Sequence, residues 1–429
     1  MISGESEYAI AMTSTEAVDY LDDNNAFCEK IINEIYAVFV RDPELTGFEI
    51  IPMPSNTNKS PVIHIEHNLG LQSWCVKYVY DYAHRLLLRH KAECLKLTAG
   101  MGQSSANLVG IGSVTAPILS STSTTGSNAI TKYLNCAILI NPDVATFWNL
   151  RRQLFAKNRL DITKEFQFSA VVLSKKPKSN EAFAYRRWLY LFQSYDAIDW
   201  AFEIALCEKC ADKSTTNYHA WCHRQWVIMK APQLLKFEIY KTEKFIRKHI
   251  HDYSCYNHRQ FVLAKMSETS YFDEHDGHDF NELMQYIGSL VNSPVDTLED
   301  LLRWLIPTAK KENLNEFKVR SFLFCLNLAA YDLRFCKELK ASYGESQAFE
   351  NHRRFMIKFI IDRCRNASSS LKQDVSGKFS TSCNQPMTKI TKLDEQESAF
   401  IRAIESSEQT RTTPQHKLWC KLFLGFNFD

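Results

Sequence analysis

Glycine and proline are scarce in this chain, at 13 and 12 of 429 residues, which leaves too few turn formers for an architecture of many short strands. A charge excess is missing too. The net charge of +2, from 51 basic and 49 acidic side chains, excludes the electrostatic footprint of a nucleic-acid binder. No stretch is long and apolar enough to span a bilayer, so no transmembrane segment is expected. The first residues carry Glu5 and Glu7 and lack a basic flank before an apolar run, so no signal peptide is expected there. The last ones, Gly425 to Asp429, offer no cysteine for lipidation. A glycine-rich phosphate loop and a Gly-x-Ser-x-Gly elbow are both wanting, so the chain does not look like a self-sufficient enzyme. The 13 cysteines form no regular framework, and a chain this long needs no disulfide staples. A reduced, cytoplasmic setting is the expectation.

Large side chains are abundant instead: 27 Phe, 18 Tyr and 8 Trp within a hydrophobic content of 45%. They favour helices packed by rings. One element recurs. It reads Trp148-Asn149-Leu150-Arg151-Arg152-Gln153-Leu154, then Phe183-Ala184-Tyr185-Arg186-Arg187-Trp188-Leu189, Trp221-Cys222-His223-Arg224-Gln225-Trp226-Val227 and Tyr256-Asn257-His258-Arg259-Gln260-Phe261-Val262. The leading arginines stand at 151, 186, 224 and 259, in steps of 35, 38 and 35 residues. A weaker fifth copy runs from Glu350 to Met356, with Glu350 in place of the ring.

A period near 35 residues is that of one helical hairpin, which cannot bury its apolar face alone and must stack on its neighbours. The second helix of each unit is expected on Ile162, Phe166, Ser169, Ala170 and Leu173, and on Ile198, Ala201, Phe202, Ala205 and Leu206. Asn141-Pro142, Pro177 and Pro232 mark the joints. Upstream, Phe27, Ile31, Ile35 and Val38 predict a helix, and Leu71, Trp74, Cys75, Tyr78, Val79, Tyr82 and Leu86 another. The fold class is therefore all-α, an α-α superhelix: a TPR-like crescent or solenoid of helical hairpins.

The organisation read from this pattern has N-terminal helices over 1–97 and a flexible Ser/Thr/Gly-rich insertion over 98–130. Core repeats follow over 131–265 and degenerate helical repeats over 266–365. A flexible segment over 366–395 precedes a helical tail at 396–429. Within the element, ring and arginine share one side of a helix, and the expected role of both is packing.

Other constellations carry less. Cys207-Glu208-Lys209-Cys210 lacks a second pair at zinc-ribbon spacing. Asp273-Glu274-His275-Asp276-Gly277-His278-Asp279 reads as a solvated acidic loop. His64 and His67 lack a third partner in the sequence.

The string Asn217-Tyr218-His219-Ala220-Trp221-Cys222-His223-Arg224-Gln225-Trp226-Val227-Ile228 closely resembles one repeat of the α subunits of protein prenyltransferases. Pro177-Lys178-Ser179-Asn180, before Phe183, is similar to the opening of the preceding repeat. The likeness spans 141–265 and, more loosely, reaches 356. Outside it, the chain most resembles the repeat-containing branch of that family.

The resemblance implies a chain wrapped around a β subunit that holds the catalytic zinc and the isoprenoid pocket, with no cofactor in this chain. It implies that Lys178, Tyr218 and His219 face the isoprenoid diphosphate, with Lys178, Asn217 and Tyr218 contacting substrate. The acceptor would be a protein with a C-terminal cysteine. Asn180 stands where the family usually has Tyr. The reactions implied are farnesyl or geranylgeranyl transfer, and the expectation taken from the resemblance is geranylgeranyl transfer with a β subunit of the Rab geranylgeranyltransferase type. A helical-repeat scaffold without catalysis and a TPR-like peptide-binding module are the competing functions.

Overall fold

The computed structural model describes residues 14–55, 60–100, 124–268, 279–306, 315–370, 399–411 and 413–426. The chain divides into two compact units, Met1–Val227 and Ile228–Asp429. Sixteen α-helices lie among the described residues. The all-α helical-hairpin class expected from the repeat is the one the chain adopts.

In the first unit, helix α1 (Ser14–Arg41) is followed by three short strands, β1 (Gly47–Ile51), β2 (Val62–Ile65) and β3 (Asn68–Gln72). The order in the sheet is β1-β3-β2, with β1 parallel and β2 antiparallel to β3. The sequence pattern gave only helices for 1–97, and Leu71 belongs to β3 rather than to the helical stripe assigned to it. Helix α2 (Ser73–Gly100) buries Cys75, Val79, Ala83 and Leu87, one residue per turn, while Tyr78 faces solvent. Helices α3 (Thr124–Ile140), α4 (Ala145–Ala156), α5 (Ile162–Lys175), α6 (Asn180–Leu189), α7 (Trp200–Lys213) and α8 (Tyr218–Lys230) complete the series that reaches the boundary of this unit. Helix thus covers both edges of the expected 98–130 insertion, and residues 101–123 between them lie outside the described residues.

The second unit holds α9 (Leu235–Lys248), α10 (Tyr253–Glu268), α11 (Asn281–Val291), α12 (Leu298–Leu305), α13 (Glu316–Tyr343), α14 (Gln347–Ser370), α15 (Ala399–Gln409) and α16 (Pro414–Trp419). Of the acidic loop 273–279 only Asp279 is among the described residues. Of the segment 366–395, residues 366–370 end α14 and the rest lies outside them.

The recurring element sits in the core. Its leading rings, Trp148, Phe183, Trp221 and Tyr256, are all buried, as is every seventh residue: Leu154, Leu189, Val227, Val262 and Met356. The arginines are buried too, which a stem packed along a ring does not by itself explain. Each needs an acceptor, because an unpaired charge in a protein interior is very costly.

In the first unit Arg151 forks onto Glu165, and Tyr185 donates to the same carboxylate at 2.6 Å. Arg186 forks onto Glu203, and His223 Nε2 donates to that carboxylate at 2.8 Å. In the second unit Glu238 accepts from His258 at 2.7 Å. Asp332 accepts from Arg259 at 2.6 Å and from His352 at 2.9 Å. Glu408 takes Arg353 at 2.9 Å and His416 at 3.2 Å.

A carboxylate thus sits between the arginine of one motif-bearing helix and, in most cases, the Tyr or His just before the arginine of the next. Two carboxyl-free contacts repeat as well. Arg186 Nη1 donates to Phe166 O and Ser169 Oγ, and Arg259 Nη1 to Ile239 O and Thr242 Oγ1. The interval before the fifth copy, which holds α11 and α12, does not break the pattern. Arg259 reaches Asp332 on α13, 73 residues away.

These carboxylates correct the helical faces expected from apolar residues alone. Helix α7 buries Trp200, Glu203, Ile204, Leu206, Cys207, Cys210 and Ala211; of the expected face only Leu206 is among them, while Ala201, Phe202 and Ala205 are exposed and Ile198 precedes the helix. Helix α5 buries Glu165, Phe168, Ser169, Val171, Val172 and Leu173, so Ser169 and Leu173 of the expected face are in the core while Ile162, Phe166 and Ala170 are half-buried. An inward-facing glutamate turns α7 away from the stripe its apolar residues suggest and adds a charge to the buried face of α5.

Acid should weaken this core. Burial opposes ionisation of Asp332, but Arg259 and His352 outweigh it and hold the carboxyl down to about 2. Glu203, buried against Arg186 and His223, is likewise held well below the carboxylate range. Burial pushes His223 down, so it is neutral in the fold and takes a proton on unfolding. The unfolded chain therefore binds more protons than the native one below about pH 6.5. The urea midpoint is expected to be flat between about pH 7 and 8, to fall below about 6.5 and to fall more steeply below about 4. A midpoint that rises on acidification contradicts this.

Candidate functional site

Two turns carry the residues singled out by sequence, and both lie in the first unit. Between α5 and α6 the chain reverses through Lys176, Pro177, Lys178 and Ser179. Lys176 N–H still donates to Val172 O at 2.9 Å, and the buried Ser179 caps α6 by accepting from Ala182 N–H at 3.3 Å. Proline cannot continue the helix, so Lys178 stands out into solvent beyond it. Asn180 begins α6 and is exposed.

Between α7 and α8, Thr216 adopts a positive φ of 52°, which swings the chain into the next helix. Asn217 caps that helix: its Oδ1 accepts from Ala220 N–H at 3.1 Å. Its amide donates to Pro177 O at 2.6 Å and to Cys210 O at 3.1 Å. The side chain is buried, with both ends engaged, so it ties the Lys178 turn to the start of α8 from beneath. Ser179, Asn217, Asp252 and Ser346 all stand seven residues before an element arginine, and each accepts a backbone N–H at a helix start.

Above that clamp the first turn of α8 shows Tyr218, 66% exposed, and the half-buried His219, their ring centroids 5.8 Å apart. A hydrogen bond with the Cys222 thiol raises the Tyr218 phenol.

The surroundings are cationic. Glu49, on β1, accepts from Lys175 and Lys213 at 2.8 Å each, and Asp143 lies 4.0 Å from Lys176. Glu49 and Asp143 thus engage three of the four lysines, Lys175, Lys176 and Lys213, and leave Lys178 without an ion pair among the described residues. The sheet that the sequence did not reveal supplies one of these carboxylates, and β1 is itself held by Phe48 N–H donating to Ser174 Oγ at 3.0 Å.

An exposed ammonium, a phenol and an imidazole on joined turns can stabilise the charge on a diphosphate. Two cavities of the molecule lie elsewhere. One, of about 240 Å³, is floored by Arg151 and Glu165, and the other is lined by residues 281–296. An open surface cannot exclude water, so a second surface is needed to dry it.

The remaining clusters are structural. Burial pushes the Cys210 thiol up to about 12 and Cys207 well above its usual value, which makes both poor thiolate donors. His64 Nε2 and His67 Nδ1 donate to Asp42 at 2.9 and 3.0 Å; this third partner, not visible in sequence, pins the β2–β3 hairpin to the end of α1. Glu408, His416 and Cys420 converge within 4.8 Å. Both oxygens of Glu408 accept from Arg353, at 2.9 and 3.0 Å, and a guanidinium seated there repels a cation.

The repeat model described as the protein prenyltransferase alpha subunit repeat matches residues 162–193, 200–231 and 235–266, which are the pairs α5–α6, α7–α8 and α9–α10. The protein prenyltransferase alpha subunit repeat-containing protein 1 of Homo sapiens is 27% identical over 227 residues, 48% of this chain and 50% of that protein. The 1-B form of Xenopus laevis is 27% identical over 231 residues, 49% of this chain and 47% of its own length. The geranylgeranyl transferase type-2 subunit alpha of Candida albicans is 29% identical over 108 residues, 22% of this chain and 29% of that protein. The chain spans about half the length of the first of these relatives. Residues 162–266 thus carry three protein prenyltransferase alpha subunit repeats in series, the unit after which the first two of these relatives are named.

Proposed function

We propose that the chain is the α subunit of a heterodimeric protein prenyltransferase that transfers a geranylgeranyl group to a protein cysteine in the cytoplasm. The observation that carries the proposal is the Asn217 clamp, which joins the unpaired Lys178 and the exposed Tyr218 on an open, cationic surface. A diphosphate leaving group gains negative charge as its bond to the allylic carbon breaks. Lys178 would neutralise that charge, and the Tyr218 hydroxyl and His219 N–H would donate to it. Asn217 would hold the two turns in register.

The β subunit would close over this surface, exclude water and bring the zinc, the activated thiolate and the isoprenoid pocket. The likeness to a geranylgeranyl transferase subunit supports the choice of lipid and of a β subunit of that type. A non-catalytic scaffold is the second reading, favoured by Asn180 in the position where the family usually has Tyr.

Co-expression with geranylgeranyl-type β subunits, followed by size-exclusion chromatography, tests the partnership. A one-to-one complex is expected. Failure to form one with any prenyltransferase β subunit removes the proposal and leaves the scaffold.

A further inference from the structure

Helix α9 has two faces of different chemistry. Leu235, Glu238, Ile239, Thr242, Phe245 and Ile246 point inward and are buried. The outward residues are Lys236, Phe237, Tyr240, Lys241, Lys244, Arg247 and Lys248. At about 100° per residue they fall within an arc of roughly 140°.

That arc holds five cationic side chains and not one exposed carboxylate. Glu243, at its edge, is mostly buried and is taken by Arg247 at 2.8 Å and by Tyr331 at 2.7 Å. Lys236, Lys241 and Lys244 pair with no carboxylate among the described residues. Two rings stand out among these charges, Phe237 at 51% and Tyr240 at 75% exposure. The corresponding helix of the preceding repeat, α7, exposes Ala201, Phe202, Ala205 and Lys209, so the basic face does not come with the repeat. In a chain of net charge +2 it is a local concentration.

We infer that this face of α9 docks onto an anionic lipid surface. Lys236, Lys241 and Lys244 are the unpaired cations, whereas Arg247 is engaged with Glu243 and Glu338. Lysine is a hydrated point charge that suits a diffuse layer of headgroups, while planar bidentate recognition of one carboxylate or phosphate favours arginine. Rings flanked by lysines belong at a membrane interface, the tyrosine keeping its hydroxyl among the headgroups. The apolar face of α9 is already covered by its own unit. The attachment is therefore peripheral, made by charge and two shallow rings without insertion of the helix.

The test is flotation of the full chain with vesicles of phosphatidylcholine alone and of phosphatidylcholine with phosphatidylserine, at low and high salt. Binding is expected only to the anionic vesicles, and salt should weaken it. The variant Lys236→Glu/Lys241→Glu/Lys244→Glu should lose on the order of a hundredfold in partitioning. The variant Lys236→Arg/Lys241→Arg/Lys244→Arg should retain it, and Phe237→Ala/Tyr240→Ala should weaken it. All these side chains face solvent, so circular dichroism should be unchanged. Equal binding to both vesicle types, no binding at low salt, or full binding by the glutamate variant overturns the inference. Retention on a polyglutamate column without vesicle binding also overturns it, in favour of an acidic protein partner.

Discussion

Replacing Glu203 by alanine is expected to destabilise the protein by about 3–5 kcal/mol, the range for breaking a buried ion pair from one side. The glutamate accepts from Arg186 and His223, and all three side chains are buried. Without it, a guanidinium and an imidazole N–H lose their acceptor where water cannot replace it. The urea midpoint should fall accordingly. Asp196→Ala, at an exposed residue in the same unit, should stay within about 0.5 kcal/mol. Arg186→Met combined with Glu203→Leu should restore much of the loss, because removing both charges abolishes the desolvation cost. A Glu203→Ala protein as stable as the parent would show that the arginines of the repeat are not held by these carboxylates.

Lys178→Ala, in complex with a β subunit, should lower the transfer rate by about a hundredfold, as loss of one preorganised donor to a developing anion does. Lys178 is exposed and makes no ion pair among the described residues, so complex formation and thermal stability should not change. Asn217→Ala differs in kind. It removes a helix cap and two hydrogen bonds that join the turns, and should cost about 1–3 kcal/mol of stability as well as activity. Equal rates for Lys178→Ala and parent would turn the turns back into plain connections and favour the scaffold.

The repeat was legible in sequence because Trp148, Phe183, Trp221 and Tyr256 fill the same buried position and must be large. The arginines three residues on were equally plain in sequence, but their partners were not. Glu165, Glu203 and Glu238 recur in steps of 38 and 35 residues, and each stands 20 residues before a Tyr or His. A search for apolar stripes sets glutamates aside as surface residues, so it kept Ser169 and Leu173 on the buried face of α5 but missed Glu165, and on α7 it found only Leu206 of the buried face. The sheet left no pattern to find: its strands have four or five residues, and β1 pairs with β3, not with its neighbour in sequence. Lys178 and Tyr218 had no periodicity to mark them and came only from likeness to a family. The structure adds the connection between them through Asn217, which the likeness set against substrate and which is instead buried with both ends of its amide engaged.

The most direct measurement of the central claim is transfer of labelled geranylgeranyl from its diphosphate to a protein ending in cysteine, by this chain and a geranylgeranyl-type β subunit, separately and together. Transfer by the pair, absent with either subunit alone and reduced about a hundredfold by Lys178→Ala, is the result predicted. A stable pair that transfers nothing, or transfers equally well with Lys178→Ala/Tyr218→Phe, would contradict it.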